Sequence, residues 1–212
     1  MNQQIQILVE VPIASFRQSR AREYAETYPV PPPSTVYGML LSMVGEVDRY
    51  KHCGVELAIA MLSQPERSTV IRTFRRFKNK EISHPTNAKP DYQELLTDIQ
   101  FVVAVLPGND PEPCNLVERL TTALTQPQQV DRFGGLSLGE SRDLVNSVQI
   151  LQNVDHQREL SWLVQSEDGL LTLPYWVDHV GSKGTRWRRY IQEDFTHDWQ
   201  VPDRARTIIQ PN

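Results

Sequence analysis

A run of cations interleaved with aromatic and β-branched residues is the strongest chemical signal in the chain. From Arg67 to Lys89 the formal charge is +6, with seven basic residues against one acid, Glu81. Arginine and lysine neutralise phosphates, and rings such as those of Phe74 and Phe77 can stack on nucleobases. The pattern indicates an RNA-binding segment. The alternative is an edge hairpin that its charges merely keep solvated.

A glycine-rich stretch, FGGLSLGES, offers a second phosphate-binding candidate. Gly134, Gly135 and Gly139 would let the backbone approach a ligand closely and direct its N–H groups at phosphates. No Gly-Lys-Ser/Thr follows and the dinucleotide fingerprint is not met, so ATP hydrolysis is not expected. A plain turn between a helix and a strand is the alternative interpretation.

The segment PPPSTVYG is a third candidate, at the expected start of a helix. Ser34 or Thr35 is predicted to be the N-cap, after the triple proline that ends at Pro33. A helix N-terminus attracts anions through its unpaired N–H groups and its dipole. Simple capping is the alternative.

Catalytic and metal-binding patterns are weak. None of the five histidines lies in a serine-hydrolase, metalloprotease or kinase motif. Cys53 and Cys114 are expected to be buried or half-buried free thiols, and we expect no metal and no cofactor. His84, close in sequence to Lys80 and Lys89, could act as the base of a metal-independent ribonuclease, or it is an ordinary surface residue.

The overall charge is −4, from 22 basic and 26 acidic residues. A free nucleic-acid binder is usually basic, so the segregation of the cations, with a second cluster in KGTRWRR, suggests one nucleic-acid face and other faces for protein partners. Trp162, Trp176, Trp187 and Trp199 suggest such interfaces, although at least two should fill a core. No apolar run reaches the roughly 18 residues of a membrane span, and the first residues do not form a signal peptide, so we expect a cytoplasmic protein.

The order of elements predicts an α+β fold. Strands are expected at 5–11, 56–62, 99–106 and 144–151 and helices at 34–46 and 115–126, with residues 68–98 projecting as an extended thumb hairpin. This is the ferredoxin-like order, with a four-stranded antiparallel sheet in a domain of residues 1–151. Residues 152–212 are predicted to be a short β-rich extension, with a hairpin at Asp168-Gly169.

Two of these motifs resemble a known family. The stretch YPVPPPSTVYGMLLSMVGE, followed about a hundred residues later by FGGLSLGESRDLV, is similar to the CRISPR-associated Cas-five family, the subunit of type I Cascade that caps the 5′ end of the guide RNA. The matching positions are Pro31 to Gly38 and Gly134 to Gly139. The resemblance covers roughly residues 1–150.

The resemblance implies a non-catalytic subunit that binds the 5′ handle of crRNA. It also implies contacts with the Cascade backbone subunit and the large subunit, with target DNA as a further partner in the complex, and no membrane. Some relatives cleave pre-crRNA, and His84 with Lys80 and Tyr92 is the nearest candidate for that alternative. The residues expected to contact RNA are Arg17, Ser34, Thr35, Tyr37, Arg72, Phe74, Arg75, Arg76, Lys78, Gly134, Gly135, Ser137, Gly139 and Arg142.

Overall fold

One long antiparallel sheet organises the chain. The computed structural model describes residues 4–19, 21, 23–75, 78–151, 158–178 and 184–211. The strands are β1 (Ile5–Ala14), β2 (Tyr24–Ala25), β3 (Glu56–Met61), β4 (Glu66–Arg75), β5 (Ala88–Leu106), β6 (Ser147–Ile150), β7 (Ser161–Gln165), β8 (Leu171–Val177), β9 (Thr185–Gln192) and β10 (Thr207–Ile208), and the helices are α1 (Pro33–Met43) and α2 (Leu116–Thr125).

The N-terminal half places β1 and β5 at the centre, in the order β6-β1-β5-β3 with every neighbour antiparallel. Alternate residues of β1 are buried, among them Ile7 and Val9, because successive side chains of a strand point to opposite faces. They pack with α1 and α2 in one apolar core. The predicted α+β fold with two helices and a mostly antiparallel sheet is confirmed.

The sheet is larger than the predicted four strands. All ten strands join it, because β3 also pairs with β7 and so extends the sheet into the C-terminal part of the chain. One pairing departs from the antiparallel pattern, since the two residues of β2 run parallel to β5 at Tyr92 and Gln93. Two-residue pairings of this kind leave no periodic signal in a sequence.

Strand β5 also forms a hairpin with β4. The pairing runs from Glu66 opposite Thr97 to Arg75 opposite Ala88, beyond the part of β5 that lies between β1 and β3. A break separates the two parts at Asp98, which has φ 56°. The hydroxyl of Ser63 bridges the break, because it donates to the Asp98 carbonyl (2.6 Å) and accepts from the Gln100 N–H (3.0 Å).

The predicted hairpin at Asp168-Gly169 is wrong. Strands β7 and β8 do not pair, and β9 lies between them. Gln165 and Leu171 both lie opposite Tyr190, so the turn between them crosses β9 at that residue. A Cβ atom on Gly169 would lie 2.5 Å from the Tyr190 carbonyl oxygen, so the glycine is needed for the crossing and not for a tight two-residue turn.

Small residues on the second face of the sheet make room for indole rings. Ala58, Ala60 and Ala104 form part of a second core that holds Trp162 and Trp199. The interface interpretation is therefore wrong for these two tryptophans and for Trp176, which is buried against α1, while Trp187 stays partly exposed. Of the two free cysteines, Cys53 is half-buried as expected, but Cys114 is exposed. No helix among the described residues is long and apolar enough to cross a membrane.

A charged network joins the end of α1 to α2. The Arg119 guanidinium donates to the Glu46 carboxylate (2.7 Å) and to Nε2 of the buried His52 (2.9 Å). Because a guanidinium can only donate, Nε2 of His52 must accept, so the ring proton sits on Nδ1 and is donated to Asp110 (2.8 Å). The same carboxylate accepts the N–H of Leu116 at the start of α2 (2.8 Å).

The Glu46 carboxylate should make stability depend on pH. Burial alone would raise its pKa, but hydrogen bonds from Arg119, the Asp48 N–H and Lys51 outweigh it and lower the pKa from 4.5 to about 2. Because the folded pKa lies below the unfolded value, the stabilisation is complete above about pH 4.5 and is lost as the pH falls through 2. We expect Glu46→Gln to lower the free energy of unfolding by about 2 kcal/mol at pH 7 and by much less near pH 3.

Urea unfolding of both proteins at the two pH values measures this difference. Glu193→Gln is the matched control, because it removes an exposed pair with Arg204 (3.0 Å) and should change stability by no more than about 0.5 kcal/mol. A Glu46→Gln difference of equal size at pH 7 and pH 3 would contradict the assignment.

Candidate nucleic-acid interface

The first residues of α1 do not form the polar side-chain cap that the sequence predicted. The N-cap is Pro32 and has no side-chain cap hydrogen bond, so the prediction that Ser34 or Thr35 caps the helix is wrong. The N–H groups of Thr35 and Val36 both donate to the Pro32 carbonyl (2.9 and 3.0 Å). Pro33 at the first helical position has no N–H, and the Pro32 carbonyl accepts the Thr35 N–H, so fewer donors are left for a side-chain cap.

Burial also limits the access of RNA to this segment. Ser34 is 6% exposed and Thr35 is half-buried. Tyr37 is fully buried, its ring packs near Trp176, and its hydroxyl donates to the Arg49 carbonyl (2.8 Å). The burial strongly raises the pKa of the Tyr37 phenol. Tyr37 is therefore a core residue in this structure, and the expected RNA contact through its side chain is wrong.

The glycine-rich loop is fixed by one buried carboxylate. Asp143 accepts the N–H of Ser15, at the end of β1, and the N–H of Glu140 (both 2.9 Å). Burial raises the pKa of Asp143, and the two N–H donors act against that effect. These hydrogen bonds connect the loop to the residue that follows β1, next to the place where Ala14 pairs with Leu96 of β5.

The three glycines of the loop have different environments. Gly139 has φ 103°, and a Cβ atom there would lie 2.7 Å from the Ser15 carbonyl oxygen, so this glycine allows a close approach to β1. Gly134 has φ 70° and open space around it, and Gly135 meets only the end of the Leu144 side chain. Both Gly134 and Gly135 are exposed, whereas Ser137 is half-buried in a bridge to Leu144.

Gln93 joins the hairpin to the glycine-rich loop. Its buried amide donates to the Glu140 carboxylate (2.9 Å) and accepts a hydrogen bond from Arg142. Arg142 also pairs with Glu140 (2.6 Å). The sequence-predicted residues of the loop and the base of the hairpin are thus brought together, although the Arg142 charge already has an acidic partner.

The hairpin cations divide into a paired and an unpaired group. Arg67, near the base, pairs with Glu94 (3.5 Å), and Arg72, three residues before the end of β4, pairs with Asp91 (3.6 Å). Lys89 pairs with Glu23, and this hydrogen bond lowers the pKa of the Glu23 carboxyl. Toward the tip, the exposed side chains of Arg75, Lys78 and Lys80 make no ion pair with any residue that the structure describes. Among the described residues, the hairpin cations without an acidic partner are therefore Arg75, Lys78 and Lys80, at the end of β4 and just after it.

Of three further residues expected to contact RNA, the structure describes the side chain of one. Arg17 is exposed, bridges to Thr27, and donates to the Ala21 carbonyl (3.1 Å) beside the hairpin base. Phe74 lies in β4 opposite Lys89, and its side chain is outside the described part of the structure. Arg76 lies outside the described residues altogether, as does Phe77.

The candidate ribonuclease residues occupy different parts of the hairpin. His84 begins a short 3-10 turn (Pro85–Asn87) at the tip, where its Nδ1 lies 2.7 Å from the Thr86 hydroxyl. Tyr92 lies in β5 opposite Ile71, four residues beyond Ala88 and thus roughly 13 Å along the strand. Among the described residues, no group of three His, Cys, Asp or Glu side chains is placed to hold a metal ion.

Sequence analysis missed an aromatic pair at the base of the hairpin. The rings of Tyr24 and Tyr92 stack with centroids 6.1 Å apart and planes at 22°. The Tyr24 hydroxyl lies 3.1 Å from the Thr69 hydroxyl and donates to Glu94 (3.4 Å). Tyr24 belongs to the two-residue strand β2, which leaves no periodic signal in the sequence. The only sequence feature that could have indicated this site is an aromatic residue within a polar segment.

The Gly139 contact predicts a structural effect of substitution. We expect Gly139→Ala to lower the free energy of unfolding by about 1–3 kcal/mol, because the new Cβ would meet the Ser15 backbone at a strained positive φ. Gly135→Ala is the matched control, since it meets a side chain that can move, and should cost less than about 1 kcal/mol. Equal urea midpoints for the two variants would contradict the close approach at Gly139.

Comparisons with known proteins agree with this architecture. A family model described as "CRISPR-associated protein (Cas_Cas5)" matches residues 5–210. A relative from Myxococcus xanthus (strain DK1622), named "CRISPR-associated protein Cas5", is 42% identical over 186 residues, which cover 86% of this chain and 87% of the relative.

Two solved structures have a similar fold. One, titled "CRISPR RNA-guided surveillance complex", has a TM-score of 0.60 at 17% identity and covers 90% of both chains. The other, titled "Crystal structure of Cas protein", has a TM-score of 0.56 at 15% identity and covers 99% of this chain and 100% of its own. The family match over nearly the whole chain, together with the 42% identical relative, shows that this chain belongs to the Cas5 family of CRISPR-associated proteins.

Proposed function

We propose that this chain is a non-catalytic subunit of a type I Cascade complex that binds and caps the 5′ handle of crRNA. The observation that carries the proposal is the charge at the hairpin tip, where Arg75, Lys78 and Lys80 make no ion pair with any residue that the structure describes. Free cations on a projecting strand pair can neutralise phosphates without first losing an acidic partner. The ion pairs of Arg67, Arg72 and Lys89 along the two strands help to hold the hairpin in position.

The topology supports the finer description of the fold. The order β6-β1-β5-β3, with α1 following β1 and α2 following β5, is that expected of a ferredoxin-like domain. The hairpin of β4 and β5 extends this domain in the way that a thumb would. We propose that the thumb and the exposed glycines Gly134 and Gly135 bind the handle from two sides of the junction at Gln93.

An apolar groove is a candidate contact for the backbone subunit or the large subunit. It encloses about 710 Å³ between α1 and residues 131–133. Phe133 and Val47 on its rim are fully exposed and Tyr50 is 42% exposed. Exposed apolar clusters of this kind commonly mark protein interfaces. We further propose that the chain acts in the cytoplasm, as part of an RNA-guided complex that also contacts target DNA.

The salt dependence of RNA binding tests the role of the hairpin tip. Each phosphate contact contributes about 0.7 to the logarithmic salt slope for single-stranded RNA, so replacing Arg75, Lys78 and Lys80 by alanine should lower the slope by about 2 and weaken binding. Filter binding of repeat-derived RNA at several salt concentrations measures both quantities.

The matched control is Arg204→Ala, which removes an exposed cation that is paired with Glu193 in the C-terminal part. Its salt slope should equal that of the unmodified protein. If the triple variant also kept its affinity and slope, the hairpin tip would not be an RNA-binding element.

Absence of catalysis is part of the proposal, and the placement of His84 supports it. The Nδ1 atom of His84 is engaged by Thr86, and Tyr92 lies further along the strand at the base. We expect purified protein to leave repeat RNA intact in the presence of a chelator. Site-specific cleavage that His84→Ala abolishes would overturn this and support the metal-independent endoribonuclease.

A further inference from the structure

We infer that Tyr24 and Tyr92 form a stacking platform for one unpaired RNA base at the foot of the hairpin. This inference rests on the proposed RNA-binding function and extends it to a site that the basic pattern did not indicate. The two rings come together only in the fold, through the parallel pairing of Tyr24 in β2 with Tyr92 in β5.

The Tyr24 ring of the platform is held in one orientation before any ligand arrives. The Tyr24 hydroxyl contacts Thr69 and Glu94, and Glu94 in turn accepts the N–H of Thr27 (3.0 Å) and pairs with Arg67 (3.5 Å). A fixed aromatic surface loses little conformational freedom when a second ring stacks on it. The hydrogen bonds therefore favour recognition of a flat ligand.

The platform is also open to solvent. Tyr24 is 41% exposed and Tyr92 is 38% exposed, although both rings are large and apolar. Ile71, directly opposite Tyr92 in the hairpin, is 68% exposed and widens the same apolar surface. Internal packing alone would bury more of this area.

The charges around the platform favour RNA over a protein segment. Alternate residues of β4 share a face, so Arg67, Ile71 and Arg75 point the same way, each about 13 Å from the next. Arg75 has no ion pair with a described residue. A ring surface about 13 Å from such a cation suits a single strand, whose base stacks on the rings while the phosphate of a neighbouring nucleotide reaches Arg75.

The test compares Tyr92→Leu with the matched control Tyr92→Phe, each in the full-length chain. Leucine keeps the site apolar but removes the ring, so affinity for a single-stranded RNA should fall about 5- to 30-fold. The salt slope should stay unchanged, because no charge is lost. Phenylalanine keeps the ring and should bind like the unmodified protein.

A second measurement locates the stacked base. A fluorescent adenine analogue is placed at each successive position of the RNA, and stacking quenches its emission. We expect strong quenching at one position with the unmodified protein and with Tyr92→Phe, and its loss with Tyr92→Leu. Thermal unfolding of the three proteins establishes that they are equally folded.

Several results would overturn the inference and leave the proposed function intact. These are unchanged affinity and quenching in Tyr92→Leu, an equal loss in Tyr92→Phe, or a loss of affinity with a lower salt slope. Normal RNA binding by Tyr92→Leu with failure to assemble with co-expressed Cascade subunits would assign the platform to a protein partner instead. If the unmodified protein bound no RNA, the proposed function itself would fail.

Discussion

The register of β5 is the constraint on which the rest of the structure depends. This strand of 19 residues pairs with β1 and β3 in the core and with β2 and β4 outside it. Its core part, Ile99 to Leu106, is almost wholly apolar and buried, and its outer part is largely polar. The left-handed Asp98 separates the two parts, a conformation that aspartate tolerates better than most residues. A shift of one residue would turn Gln93 and the buried core residues to the wrong faces.

Strong local patterns made much of the fold predictable from the sequence. The alternation of Ile5 to Val11 gives a strand, and the helical spacing from Val36 to Val44, with Gly45 after it, gives α1 and its end. Helix α2 has the predicted start, with Asn115 capping the N–H of Glu118 (3.1 Å). These features depend on residues close together in sequence, so propensity and periodicity determine them.

Long-range pairing accounts for what the sequence could not predict. The insertion of β9 between β7 and β8 depends on pairs from Gln165–Tyr190 to Leu163–Gln192, which are 25 to 29 positions apart. The Asp168-Gly169 turn satisfies a local rule that the tertiary structure overrides. Contacts between distant residues also determine the candidate site. Arg72 looked like a free cation, but its acidic partner Asp91 comes from the opposite strand of the hairpin. Tyr24 became notable only when β2 placed it against Tyr92.

The division of charges along the hairpin explains how an acidic chain can present a locally basic surface. Strand β4 extends roughly 30 Å from Glu66 to Arg75 at about 3.3 Å per residue. The Debye length at physiological salt is only about 8 Å, so the acidic body of the molecule contributes little to the potential at the tip. Along the strand pair, Glu94 and Asp91 lie 3.5 and 3.6 Å from Arg67 and Arg72 and neutralise them. The net charge of −4 is the sum of +6 from residues 67–89 and −10 from the rest of the chain, so the hairpin and the body of the protein carry opposite charges.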